Sequence, residues 1–339
     1  MRAARSSPEG ANGAEPQRRL SSAWRWSGLF GLLLALGLAG PRAQVDGSFR
    51  PVALSADLGA EISATEAALA VDPTVARRIV WQHPAARDVT PLAVVYLHGF
   101  SATHRETAPL SEQVAAALGA NLYLTRLNGH GLDGAALGTA TANAWLADAD
   151  RAMAIGSRIG QRVVLIGVST GATLALLLNA RPHWRDSIAA TVLISPNLVP
   201  NATGARLLAG PWGRQIAWLA TGGEYAFEPL NADHARYWTT RYPSRVLAEV
   251  MALVAHVRAL QPDWVARPAL VFYSPRDSVI RADLVAATCA QASAWQCEVV
   301  ADANDPSQHV LAGDILSPDT TARMAAAIVT YVQAHEDLN

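Results

Sequence analysis

The sequence predicts an α/β fold: a mostly parallel sheet covered by helices on both faces, with a helical cap insertion. Three observations lead there. Short runs at 79–81, 93–97, 122–124, 163–166, 191–194, 269–273 and 298–300 are rich in β-branched, aliphatic and aromatic residues. They are nearly continuous in apolar character rather than alternating, as strands buried on both faces are. Helical patterns at 110–118, 143–159, 171–179, 282–292 and 320–334 separate most of them, and strand–helix alternation builds a parallel sheet by crossovers. From about 197 to 263 the rhythm stops. That stretch has no good strand, but Trp212, Trp218, Tyr225, Phe227, Tyr237, Trp238, Tyr242 and Trp264 fall in or beside it. An aromatic insertion between sheet strands is suited to roof an apolar pocket as a lid does.

The organisation expected along the chain has three parts. Residues 1–43 are a targeting segment, 44–75 are linker-like, and 76–339 are the α/β body. Arg18, Arg19 and Arg25 precede an apolar run at 29–39, and a small-residue stretch follows. That order is the pattern of a secretory signal, and about 10 apolar residues are short for a membrane span of roughly 20. Pro41 sits badly for a small-residue cleavage site near Ala43, so an uncleaved, membrane-associated anchor is the alternative to an exported protein. Cys289 and Cys297 are the two cysteines. They are too few for a metal site but suited to a short disulfide in an oxidising compartment, with two buried thiols as the alternative.

Composition excludes some chemistry. All 27 basic residues are Arg and none is Lys, while Ala occurs 67 times in 339 residues. Without Lys there is no Schiff base for a carbonyl or pyridoxal group, no phosphate-loop Lys and no Ser–Lys dyad. A general base near neutral pH is then a His, a raised carboxylate or a metal-bound water. The net charge of −1 gives no electrostatic footprint for nucleic acid. No cofactor motif is present. The His98–His104 pair stands alone, without metal-ligand spacing around it.

The chemistry concentrates at Ser169. The run from Val163 reads strand, then Gly167-Val168-Ser169-Thr170-Gly171, then helix. Gly-x-Ser-x-Gly between a strand and a helix is a nucleophile elbow, a turn so sharp that the Ser is strained and its hydroxyl stands clear of the sheet. An activated Ser needs a base, an orienting acid and oxyanion donors. The run 93–97 ends in His98-Gly99-Phe100, where a bend can turn amides toward a carbonyl oxygen. The backbone N–H groups of Phe100 and Thr170 are the expected donors, and His98 is expected to shape the turn. Asp277 follows the strand at 269–273 and is the expected acid, with Asp283, Asp302 and Asp305 as alternatives. Of the two histidines after Asp277, His309 sits in a loop after the last strand, whereas His335 ends the final helix beside Glu336 and Asp337. His309 is the expected base.

Ser169, Asp277 and His309 in this order, with His98-Gly99-Phe100 upstream, resemble the α/β-hydrolase superfamily over roughly residues 75–335. Together with Gly129-His130-Gly131, they look most like its monoacylglycerol lipase and bacterial carboxylesterase branch. The departures are Ala172 where a second Gly is frequent, Ser274 where a Gly is frequent and Asn128 where an acidic residue is common. They weaken a match to any one lipase without removing a catalytic group. The resemblance implies an ester hydrolase that forms an acyl-enzyme on Ser169 and takes a small-molecule ester with an apolar acyl chain. His130, Trp212 and Trp218 are candidate substrate contacts, although His130 more simply shapes its loop. Peptidase or lactonase chemistry on the same fold and a non-enzymatic binding protein are the competing classes.

Overall fold

The computed structural model describes residues 26–336 except 28, 29, 32–34 and 36. Most of the expected targeting segment therefore lies outside the described residues. Residues up to 40 form one unit, and residues from 41 onward form another that carries the whole α/β body. Among the described residues, no helix is long and apolar enough to cross a membrane.

Seven strands form the main sheet: β1 (Arg78–Val80), β2 (Thr90–Leu97), β3 (Asn121–Leu124), β4 (Gly160–Val168), β5 (Ile188–Ile194), β8 (Ala269–Tyr273) and β9 (Trp295–Val299), in the order β1-β3-β2-β4-β5-β8-β9. Only β1 runs antiparallel, pairing Ile79 with Tyr123; every other neighbour is parallel. The chain goes from β2 outward to β3, then returns to place β4 on the other side of β2. Connections from β2 and β4 therefore diverge, and ligands in open parallel sheets bind outside the carboxyl ends at such a switch point. His98 follows β2 and Ser169 follows β4, so the two motifs flank that crevice.

Alternation along each strand divides the core in two. Ala93, Val95, Leu97, Leu165, Leu193 and Val271 face one side, whereas Val94, Tyr96, Ile166, Val192, Leu270 and Phe272 face the other. The first side is covered by α4 (Ala142–Ile159), α5 (Thr170–Ala180) and α8 (Leu247–Ala259), the second by α2 (Leu110–Ala117) and α11 (Pro318–Glu336). The short α3 (Gly134–Thr139) links the His130 turn to α4. All 11 residues of α5 are buried, as expected for a helix apolar on nearly every face. Burial of these side chains at roughly 1.5–3 kcal/mol each is the main force that holds sheet and helices together.

Two expectations are corrected. The stretch 197–263 does contain strands, β6 (Glu224–Ala226) and β7 (Arg241–Pro243), paired antiparallel with Tyr225 opposite Tyr242. Three-residue strands exposed along much of their length leave no long apolar run to detect. The same stretch holds α6 (Gly213–Thr221), α7 (Ala232–Tyr237) and α9 (Gln261–Val265). Val250, Leu253 and Val257 of α8 lie in the main core, so that helix covers the sheet rather than roofing it.

Residues 44–75 are also more than a linker. They carry α1 (Leu58–Ala68), capped by the Asp57 side chain, with Leu58 and Ile62 in the core. Ahead of it an extended strap is pinned to several elements: the Trp212 N–H donates to the Pro41 carbonyl at 2.7 Å and the Asp46 N–H to Asn143 Oδ1 at 2.8 Å, while Phe49 stacks on His183.

Cys289 of α10 (Ala282–Gln291) and Cys297 of β9 are joined by a disulfide. It closes a short loop between an edge strand and its helix. Replacing both with Ala is expected to lower the unfolding free energy by about 2–3 kcal/mol from loop entropy. A urea midpoint unchanged between the two proteins would rule that contribution out.

Candidate active site

The site grows from the carboxyl ends of β2, β4, β5 and β8 and from the loop after β9. Ser169 has φ 52° and ψ −113°, a conformation that costs of order 1–3 kcal/mol and persists only where neighbours enforce it. The neighbours are close. A Cβ on Gly167 would lie 2.5 Å from the Gly171 carbonyl oxygen, and one on Gly171 would lie 2.0 Å from that of Leu97. Both glycines are needed because backbone occupies the space of any side chain. The Ser169 N–H donates to the Ile194 carbonyl at 2.9 Å, tying the elbow to β5.

His309 Nε2 lies 2.9 Å from Ser169 Oγ, and His309 Nδ1 lies 2.7 Å from Asp277 Oδ2. A carboxylate only accepts, so Nδ1 carries the proton and Nε2 is left to accept from the hydroxyl. All three side chains are buried. Asp277 Oδ1 accepts from the Val279 and Ile280 amides at 2.8 and 3.1 Å, which fixes the carboxylate while Oδ2 meets the ring. Burial alone would lower the His309 pKa. The charge and hydrogen bond of Asp277 outweigh that, helped by Asp305, and the net direction is upward.

The alternative acids have other partners. Asp283 pairs with Arg281 and Asp302 with Arg323, both at exposed positions. Asp305 builds the histidine loop: its Oδ2 accepts from the His309 and Val310 amides at 3.1 and 2.8 Å. Ser195 was not foreseen. It follows β5, and its hydroxyl donates to the His309 carbonyl at 2.7 Å. Its position one strand over from Ser169, just past a buried run, was the available signal. Arg276 reaches the Ala301 carbonyl and Gln308, bracing the same loop.

The expected oxyanion donors lie at the same end of the sheet. Thr170 opens α5, so its N–H has no carbonyl a turn back. Neither that amide nor the Phe100 amide donates within the chain among the described residues. His98 shapes the turn: its Nε2 accepts from the Leu127 N–H and its Nδ1 donates to the Gly99 carbonyl, each at 2.9 Å. Both bonds suit a neutral ring, and burial lowers its pKa far below the ordinary imidazole range.

The Phe100 ring meets His130, Trp145 and Tyr242 edge-on, and Tyr225 stacks behind Tyr242 with centroids 5.5 Å apart. Aromatic rings thus run in contact from the β2 loop into the 197–263 stretch. His130 is fully enclosed among them, donating from Nδ1 to the Asn128 carbonyl, with burial lowering its pKa to about 4. Trp212 and Trp218 are 41% and 57% exposed at α6, whereas the ring from the 197–263 stretch that meets Phe100 is Tyr242 of β7. Among the described residues, no group of three or more His, Cys, Asp or Glu is assembled to hold a metal ion.

Beneath the His130 loop, Glu66 of α1 accepts from Arg126 Nε and Nη2 at 2.6 and 2.8 Å and lies 2.6 Å from Arg77 Nε. Burial would raise the Glu66 carboxyl, but the two guanidinium groups more than offset it and hold it below its ordinary range. Glu66→Ala strands buried cations and is expected to destabilise the fold by about 3–5 kcal/mol. A loss under about 1 kcal/mol by urea unfolding would show the cluster to be dispensable.

Comparison with known proteins agrees with this architecture. The pattern of the alpha/beta hydrolase family matches residues 94–327. A thermostable monoacylglycerol lipase from Bacillus sp. (strain H-257) is 29% identical over 190 residues, which span 56% of this chain and 72% of that protein. One of the metagenome-derived lipolytic enzymes LipS and LipT superposes with a TM-score of 0.62 at 19% identity, over 78% of this chain and 100% of that one. A soluble variant of monoglyceride lipase from Saccharomyces cerevisiae superposes with a TM-score of 0.57 at 10% identity, over 77% and 91%. With the family pattern spanning more than two thirds of its length, the chain belongs to the alpha/beta hydrolase family.

Proposed function

We propose that the protein is a serine hydrolase that cleaves carboxylic esters through an acyl-enzyme on Ser169. The observation that carries this is the continuous hydrogen-bonded line from Asp277 through His309 to Ser169, at 2.7 and 2.9 Å. Ser169 Oγ attacks the ester carbonyl carbon while its proton passes to His309 Nε2. The carbonyl oxygen becomes the oxyanion, held by the Phe100 and Thr170 amides. The C–O bond to the leaving group then breaks, and His309 returns the proton to the departing alcohol. Water, deprotonated by His309, attacks the acyl-enzyme and releases the acid and Ser169. Asp277 holds the His309 tautomer and stabilises the imidazolium.

Two features favour an apolar ester. The rings of Phe100, Tyr242 and Tyr225 pack in sequence behind the proposed oxyanion amide of Phe100. The relatives similar in sequence and fold are named as lipases that act on monoacylglycerols or as lipolytic enzymes. The apolar segment at 29–39 and the Cys289–Cys297 disulfide support export into an oxidising compartment. The intact mass of the mature protein distinguishes cleavage near residue 43 from a retained anchor.

The test is a panel of p-nitrophenyl esters from short to long chain, with a peptide amide and a lactone alongside. Ester hydrolysis that improves with acyl length over the first several carbons is expected. Turnover confined to the amide or the lactone would replace the ester reading, and no turnover of any of them would sink it.

A further inference from the structure

Glu106 is a buried titratable side chain beside the site, and none of the acyl-enzyme steps uses it. It lies in the loop between β2 and α2 and is 3% exposed. Its Oε1 accepts two hydrogen bonds, from the Gly99 N–H at 2.6 Å and the Tyr96 hydroxyl at 2.9 Å. The Tyr96 hydroxyl accepts in turn from Thr107 Oγ1 at 2.7 Å. Oε2 lies toward the nucleophile: a Cβ built on Gly99 would stand 2.9 Å from Oε2 and 3.4 Å from Ser169 Cβ. The carboxyl group and the nucleophile therefore flank the same glycine.

We propose that Glu106 is a positioning residue for hydrolysis at Ser169, acting through the Gly99 peptide that it anchors. The proposal rests on the Ser169 hydrolase reading. Gly99 is held at both ends, its N–H by Glu106 and its carbonyl by His98 Nδ1. The Phe100 N–H shares a peptide plane with that carbonyl. Anchoring Gly99 on both sides thus sets where the Phe100 N–H points. A donor contributes its full effect at the oxyanion only when it need not reorganise as charge develops.

The charge state of Glu106 follows from its surroundings. Tyr96 faces it from β2 and His309 from the loop after β9; Glu112 of α2 acts on Tyr96, and Asp305 acts on His309. Burial outweighs the hydrogen bonds from Gly99 and Tyr96 and the attraction of His309, and pushes the carboxyl up to about 8. At neutral pH the group is a neutral acid, with Oε1 as the carbonyl oxygen that accepts both bonds. Above about pH 8 it ionises and sets a negative charge beside the centre where the oxyanion forms, so turnover falls.

The test uses the full chain as wild type, E106Q and E106L, with two readouts: steady-state hydrolysis of p-nitrophenyl butyrate and the rate of Ser169 labelling by a fluorophosphonate. Gln keeps a neutral acceptor and cannot ionise, whereas Leu has no acceptor. E106L is expected to lose about 100-fold in kcat with KM within about threefold, because only a transition-state contact is disturbed. E106Q recovers most of that loss and lacks the decline in kcat above pH 8. Labelling rates follow the same ranking. A cooperatively folded E106L with wild-type turnover overturns the proposal, as does an E106Q that falls as far as E106L. If E106L does not fold, E106Q decides: retention of the alkaline decline overturns the proposal, and its loss supports it. A wild type that labels but cleaves no ester overturns only the substrate class, and the labelling series then decides the role of Glu106. A wild type that neither labels nor turns over overturns both readings.

Discussion

Ser169→Ala is expected to lower kcat on any ester the protein cleaves by about 10⁶-fold, leaving the residual catalysis that oxyanion donors and binding alone supply. The size of the effect follows from the geometry. His309 Nε2 has one polar partner in the site, the Ser169 hydroxyl at 2.9 Å. Removing Oγ leaves the base without the hydroxyl it would deprotonate, so no acyl-enzyme can form on residue 169. Folding is expected to survive. The Ser169 backbone is held by its N–H bond to Ile194 and by the carbonyl bonds it accepts from Thr173 and Asn197, and Ala keeps all of these. Fluorophosphonate labelling followed by intact mass should show one adduct on the wild type and none on the variant. Turnover above a hundredth of wild type, or an adduct on the Ala protein, would mean that another residue is the nucleophile.

Asp277→Asn is expected to lower kcat by about 10⁴-fold while preserving the fold, because the amide can donate to Nδ1 and so favours the wrong imidazole tautomer. The pH profile gives a second readout. His309 must be neutral to accept the Ser169 proton, and its pKa stands above the ordinary value because Asp277, with smaller help from Asp305, overcomes burial. The wild-type kcat/KM therefore rises with pH along an acid limb whose midpoint lies above that of a free histidine. In the Asn variant the largest raising influence is gone and burial remains, so the midpoint moves to lower pH. An acid limb that stays in place would assign the titration to another group.

The parallel sheet was legible because its strands are buried on both faces and read as plain apolar runs. Ser169 was legible for a related reason: the elbow is local, and its strand, turn and helix are consecutive in sequence. Asp277 and His309 required more, since four aspartates lie between β8 and His309 and two histidines follow Asp277. What separates Asp277 from Asp305 is that the Asp305 carboxylate is occupied by backbone amides of the His309 loop. That occupation is a tertiary fact. Glu106 and Ser195 carried little local pattern: Glu106 matters through the hydrogen bonds it accepts from Gly99 and Tyr96, and Ser195 through the one it donates to the His309 carbonyl, 114 positions later. The 44–75 stretch was misread because Leu58 and Ile62 are sparse apolar residues on a short helix, and the role of Glu66 appears only opposite Arg126, 60 positions later.

That last pairing has a consequence for how the protein can be shortened. A version trimmed to begin at the first strand would retain Ser169, Asp277, His309 and the amides around them, and would look complete by any inventory of reacting groups. It would also leave the Arg126 guanidinium beneath the His130 loop with its counter-charge cut away, and it would leave open the apolar seat of Leu58 and Ile62. The front of the chain thus acts as a keystone: it locks the elements beneath the His130 loop in place without supplying any of the proposed reacting groups. A minimal active version should begin upstream of the strap at residue 41, rather than where the recognisable family pattern begins at residue 94.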